Sequence, residues 1–197
     1  MQIEQFVMAY HAEQDRLRAL LPDDFTSLRP VLWINAELRQ SADGEMAYLE
    51  YNTAAESRGK RGWLNVGHWE TNDGLTFERS GSTVTFTLPF LTIRFNGVGI
   101  AGGCPAEKDD DGCFFADGTG YTLHPAEVIS ANKEFCDCSF DWHYTAEDAR
   151  GVSIGKTFPA FPTPPQRQYD RQPLSPETAA AIPCDQVLGA YKVCFQR

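Results

Sequence analysis

Apolar and polar positions change period twice in the first seventy residues, and each change marks an element. Within 10–25 (YHAEQDRLRALLPDDF) Leu17, Leu20 and Leu21 fall at i, i+3 and i+4, with Asp15, Arg16 and Arg18 at the flanks, which predicts one amphipathic helix. Pro22 cannot continue a helix and biases Leu21 out of the α region, so the helix ends there and Asp23-Asp24 form a turn. From Val31 the period is two. Leu32, Ile34, Ala36 and Leu38 make an apolar face, and Val31, Trp33, Asn35 and Glu37 a face that begins apolar and ends polar. The next strand sets Ala47, Leu49, Tyr51 and Thr53 against Met46, Tyr48, Glu50 and Asn52. The basic loop SRGKRG closes a hairpin, and a third strand follows in which Leu64, Val66 and His68 alternate with Trp63, Asn65, Gly67 and Trp69.

Beyond Trp69 the pattern stays strand-rich. TNDG reads as a turn, LTFERSG and STVTFTLP as a hairpin, and residues 91–98 as a further strand. GVGIAGGCP reads as a glycine-dense loop with no phosphate-binding spacing. EKDDDGCFFADGTG fails as a calcium loop, because Gly118 stands where a bidentate Glu is required, and reads as an acidic turn. HPAEVISANKEF suits a short helix or turn from Pro125. EFCDCSFDWHYTA alternates as a strand that puts Asp141 and His143 together on a solvent face. The proline-rich run 159–176 excludes a central strand and reads as an arm around the chain or onto a second subunit. With Phe158 and Phe161 it predicts a homo-oligomer. PETAAAIP forms a short helix, and residues 185–197 a final strand.

Composition narrows the function classes. At 197 residues and 42% hydrophobic, the chain buries a sizeable core and reads as one domain over 1–197. A net charge of -10 argues against nucleic acid. No apolar run reaches the roughly 18 residues of a membrane helix, and the acidic, Lys- and Arg-free first residues do not read as a signal peptide. The expected address is cytoplasmic, with no membrane partner. The six cysteines lack paired C-x-x-C spacing and a nearby His pair, so most read as small buried hydrophobes, with disulfides the alternative outside the cytoplasm and with no metal site and no cofactor expected.

Three neighbouring strands thus carry Asn35, Glu37, Glu50, Asn52, Asn65 and His68 among large apolar groups, more than packing alone requires. Tyr10, the LRALLP-acidic helix end, the strand PVLWINAEL, the AYLE strand with its basic turn and GWLNVGHW resemble the acetoacetate decarboxylase-like superfamily over roughly the first 70 residues. The resemblance implies an α+β, mostly β fold, a curved antiparallel sheet or cone-shaped barrel with an N-terminal helix. It implies that Glu50 is the pocket glutamate, an acid/base residue in an enzyme. Asn35, Glu37 and His68 would orient the substrate, Asn35 falling near a second acidic position of the family. The decarboxylases form an imine on a lysine whose pKa an adjacent lysine lowers. The corresponding stretch ETNDGLTFERSGSTVTFTLPFLTIRF contains no lysine, and only Lys192 lies within a predicted strand among apolar neighbours. The expectation is a binding protein for an organic acid or carbonyl compound. The alternatives are a divergent decarboxylase-like lyase using Glu50, or a structural protein whose polar groups only satisfy one another.

Overall fold

Alternation of side chains across a single large sheet accounts for most of the architecture. The computed structural model describes residues 1–42, 44–103, 110–127, 129–144, 161–163 and 166–197. In chain order these form β1 (Gln2–His11), α1 (Gln14–Leu20), β2 (Thr26–Ser41), β3 (Gly44–Ser57), β4 (Lys60–Glu70), a 3-10 turn (Thr71–Asp73), β5 (Thr76–Ser80), β6 (Thr83–Leu88) and β7 (Leu91–Ala101). There follow β8 (Gly112–Ala116), β9 (Tyr121–Pro125), β10 (Lys133–Trp142), β11 (Phe161–Thr163), β12 (Gln166–Gln168), α2 (Pro176–Ala180) and β13 (Gln186–Gln196). Eleven strands pair in the order β5-β6-β7-β10-β13-β1-β2-β3-β4-β8-β9, and β11 pairs with β12 in a separate ribbon. The eleven-stranded sheet is not closed into a barrel, since β5 and β9 are its two ends.

The apolar face of this sheet is the core. Leu32, Ile34, Ala36 and Leu38 of β2, Ala47, Leu49 and Tyr51 of β3, and Phe6, Met8 and Tyr10 of β1 are all buried in one cluster with Phe86, Ile93 and Phe95. Leu17 and Leu20 of α1 join it, while Leu21 packs with Phe25, Leu64 and Phe114. Leu21 is already extended, with ψ 140°, as the following proline dictates. The hairpin between β3 and β4 turns on Arg58 and Gly59, both at positive φ, the backbone of a two-residue turn that matches strand twist.

Four expectations change. Tyr10 belongs to β1, not to the helix; Phe6 and Met8 of β1 pack in the main core and Val7 in a second cluster with Tyr191 and Val193, so both faces are covered. Part of the glycine-dense loop is strand, because β7 runs on to Ala101; a side chain at Gly97 would press within 2.7 Å of the Glu134 carboxylate. The described residues after Pro125 form no helix before β10. The acidic turn opens into the β8–β9 hairpin, which attaches to β4 by a parallel pairing at Trp63–Cys113 and Leu64–Phe114. Every other neighbouring pair of the sheet is antiparallel. Phe158, Cys104, Lys108, Lys156, Glu107, Asp109 and residues 159, 160, 164 and 165 of the proline-rich run lie outside the described residues.

Candidate functional site

The second face of the same strands lines a cavity of about 430 Å³. β2 gives it Trp33, Asn35, Glu37 and Arg39 in a row, since successive same-face residues stand two apart. β3 adds Tyr48 and Glu50, and β4 adds Trp63. The β8–β9 hairpin supplies Cys113, Phe115 and His124, β13 supplies Tyr191 and Val193, and Lys133 and Arg197 close the perimeter.

Glu50 is held in the cavity lining by neutral donors. Opposite it on β2, Asn35 donates from Nδ2 to Glu50 Oε1 at 2.8 Å. The Tyr48 hydroxyl donates to Oε2 at 3.0 Å. Burial pushes the Glu50 carboxyl above its ordinary range, against the lowering by the Asn35, Tyr48 and Asn52 hydrogen bonds, and the Glu37 charge adds to the rise. Tyr48 is also held upward, first by burial and then by the Glu50 carboxylate. Burial raises the Cys113 thiol as well, so at neutral pH it is a small neutral wall group.

A directed hydrogen-bond chain runs from β4 to Asn52, the neighbour of Glu50 on its face of β3. Asn65 donates from Nδ2 to Asn52 Oδ1 at 2.9 Å, which leaves Asn65 Oδ1 as an acceptor. His68 Nδ1 lies 3.0 Å from that oxygen, so the imidazole proton sits on Nδ1. Asn52 stands two residues from Glu50 on the same face of β3 and helps to lower its carboxyl pKa. His68 itself is exposed, packs on Phe115 with ring centroids 5.6 Å apart, and is not among the cavity-lining residues.

Glu37 has a different place. It is 2% exposed and receives Gln5 Nε2 at 3.3 Å, Arg39 Nε at 2.7 Å, and Arg197 Nη1 and Nη2 at 3.4 Å each. It therefore anchors two arginines at the cavity wall. Arg39 also lies over the Tyr48 ring, 4.0 Å from its centroid. Of the four residues singled out from the sequence, the structure brings Asn35, Glu37 and Glu50 to one cavity and leaves His68 one shell outside it.

Lys192 points away from the cavity. It pairs with Glu134 at 3.2 Å, and that contact raises its ammonium pKa over the opposing effect of desolvation. A lysine so held is the reverse of an imine-forming amine. Among the described residues, the lysine that does reach the lining is Lys133, whose Nζ stands 4.7 Å from the Tyr191 ring centroid. Arg39, Lys133, Arg197 and the β8–β9 residues were not singled out from the sequence; only Arg39 was legible, two residues beyond Glu37 on the same face. The Asp141–His143 pair, 3.6 Å apart, is exposed on β10 and its end, as read.

No family model matches the chain's sequence, and no curated protein does. Solved structures do match it. An acetoacetate decarboxylase from Legionella pneumophila superposes with a TM-score of 0.61 at 11% identity, covering 98% of this chain and 81% of that one. The fold is acetoacetate decarboxylase-like. The enduracididine biosynthesis enzyme MppR, with HEPES buffer bound, matches with a TM-score of 0.56 at 10% identity, over 98% of this chain and 82% of that one. An acetoacetate decarboxylase-like enzyme from Sphingomonas wittichii matches at 0.54 and 11%, over 98% and 87%. The decarboxylase-like fold thus extends over nearly the whole chain, not only the first 70 residues from which it was read.

Proposed function

We propose that this chain binds a small organic acid or carbonyl compound in the cavity over Glu50, without imine chemistry. The observation that carries the reading is Glu50 itself: a desolvated carboxyl, held by Asn35 and Tyr48, in the lining of a cavity of about 430 Å³. A carboxyl kept partly protonated can donate to a ligand carbonyl and, once ionised, accept from a hydroxyl. Solved MppR complexes hold pyruvate and its condensation product with imidazole 4-carboxaldehyde, carbonyl acids bound on the same fold. Calorimetric titration with pyruvate, acetoacetate and larger 2-oxo acids tests the reading. The expected result is saturable binding to the wild type that weakens about tenfold in Glu50→Leu. Absence of binding by every acid would sink it.

A second reading, a lyase using Glu50 as acid/base, is favoured by one observation, the presence of Lys133 in the same lining. Release of carbon dioxide from acetoacetate above the level of Glu50→Gln and Lys133→Gln would decide for it.

A further inference from the structure

The cavity is graded along β2, and the grading specifies a ligand. Arg39 and Glu37 stand at one end of the row, Asn35 in the middle opposite Glu50, and Trp33 at the other end. Glu37 and Trp33 are four residues apart, roughly 13 Å along a strand. At the Trp33 end, Trp63 meets the Trp33 ring edge to face, with centroids 3.9 Å apart, and both indoles line the cavity. Phe115 adds a third apolar ring from β8.

The opposite end sets the cations Arg39, Lys133 and Arg197 among the carboxylates of Glu37, Glu70 and Glu127. Arg39 donates from Nε to Glu37 and from Nη1 to Glu70 at 3.5 Å, while its Nη2 makes no hydrogen bond among the described residues. Arg197 is divided between Glu37 and Glu127, and Lys133 stands on the same side of the lining, over Tyr191. Guanidinium forks suit a carboxylate, and aromatic walls suit a ring stacked or set edge to face. A cavity of about 430 Å³ falls in the range of sites that hold drug-sized ligands, and a four-carbon acid would leave most of it to water.

We propose that the cavity selects an aryl-substituted 2-oxo or 2-hydroxy acid, its carboxylate toward Arg39, its oxygen function at Glu50 and Asn35, and its ring between Trp33, Trp63 and Phe115. This rests on the reading of the cavity as a small-molecule site and adds the ring and its place. Neither four-carbon acids nor neutral aryl ketones meet both ends.

Three matched probes test it by calorimetry on the full chain: 4-phenyl-2-oxobutanoate, 2-oxobutanoate lacking the ring, and 4-phenyl-2-butanone lacking the carboxylate. The expected result is that the first binds at least tenfold more tightly than either of the others. Phe115→Ala should cost the aryl acid about tenfold and leave 2-oxobutanoate unchanged. Arg39→Lys, which keeps a cation beside Glu37, should weaken both acids and spare the ketone. Circular dichroism and thermal midpoints verify that the variants are folded. Equal affinity for the two acids would overturn the ring assignment and leave the small-molecule reading standing. Equal affinity for the aryl acid and the aryl ketone would overturn the carboxylate assignment. If none of the three binds, the small-molecule reading falls together with this one.

Discussion

Asn65 and His68 lie three residues apart on one strand, yet their side chains meet at 3.0 Å on the same face of the sheet. In a regular strand residues three apart face opposite sides. The pairing explains the exception: Tyr51 faces Gly67 and Asn52 faces Asn65, so Val66 is an extra residue on β4. The bulge moves His68 from the core face, where strict alternation put it with Leu64, to the face of Glu50. It also lets Trp69 return to the core opposite Leu49.

Glu50 should make stability depend on pH in a definite direction. The folded chain keeps a proton on this carboxyl that the unfolded chain has released, because burial raises its pKa. That stability is complete below the ordinary glutamate range and is lost as pH rises through the raised value. Glu50→Gln has no such proton. Relative to wild type, its melting temperature should gain a few degrees between pH 4 and pH 8, as followed by thermal unfolding in matched buffers. A constant offset across that range would contradict the shift.

Glu37→Ala leaves Arg39 and Arg197 facing each other's charge without their shared carboxylate. Breaking a fully buried pair costs more, but Arg197 is 40% exposed and water compensates part of the loss. The expected cost is about 2 kcal/mol, read as a drop of about 5 °C in melting temperature. Glu37→Gln should lose less, since it still accepts a hydrogen bond. Equal stability of wild type and Glu37→Ala would mean that the cluster is only a surface network.

Gly62 tests the attachment of the cavity wall. A Cβ there would stand 2.1 Å from the Gly112 carbonyl oxygen, so Gly62→Ala must push β8 away from β4. Overpacking of this kind costs about 2 kcal/mol. Urea unfolding should show that loss, and ligand affinity should fall with it although no lining side chain has changed. Gly59→Ala, at a turn where a Cβ meets nothing within 4 Å, separates backbone strain from crowding.

Imine trapping should fail. Acetoacetate followed by borohydride is expected to leave the intact mass unchanged, because Lys192 is held charged by Glu134. An adduct mapped to Lys133 and lost in Lys133→Gln would show that this cavity amine performs the chemistry, and would favour the lyase reading.

The faces of β2 and β3 were legible because strict alternation there carries both the core and the site: Leu32 to Leu38 against Trp33 to Glu37, and Leu49 and Tyr51 against Tyr48 and Glu50. The acetoacetate decarboxylase-like fold was legible from the same stretch. β1 was not, because a strand covered on both faces shows no alternation, and its Tyr10 adjoined a helical pattern. The role of Glu37 escaped because its partners include Gln5 and Arg197, which only the pairing of β1 with β2 and β13 brings near. Cys113, Phe115 and His124 escaped because the acidic composition around them imitates a turn, while the residues that fix the hairpin are glycines. Gly112 is the clearest, at φ 147° with a Cβ position 1.9 Å from the His124 carbonyl oxygen.

The parallel junction of β4 with β8 carries a kinetic consequence. It joins residues about fifty positions apart through the pairs Trp63–Cys113 and Leu64–Phe114 and the hydrogen bonds between Arg61 and Asp111 beside them, whereas β2, β3 and β4 zip together through local turns. Distant pairings close late and reopen at lower free energy than the meander beneath them. The floor of the cavity is therefore in place before its wall arrives. Amides of 112–125 should exchange with solvent while those of β2 and β3 stay protected, so ligands gain entry through local opening of one hairpin without unfolding of the sheet.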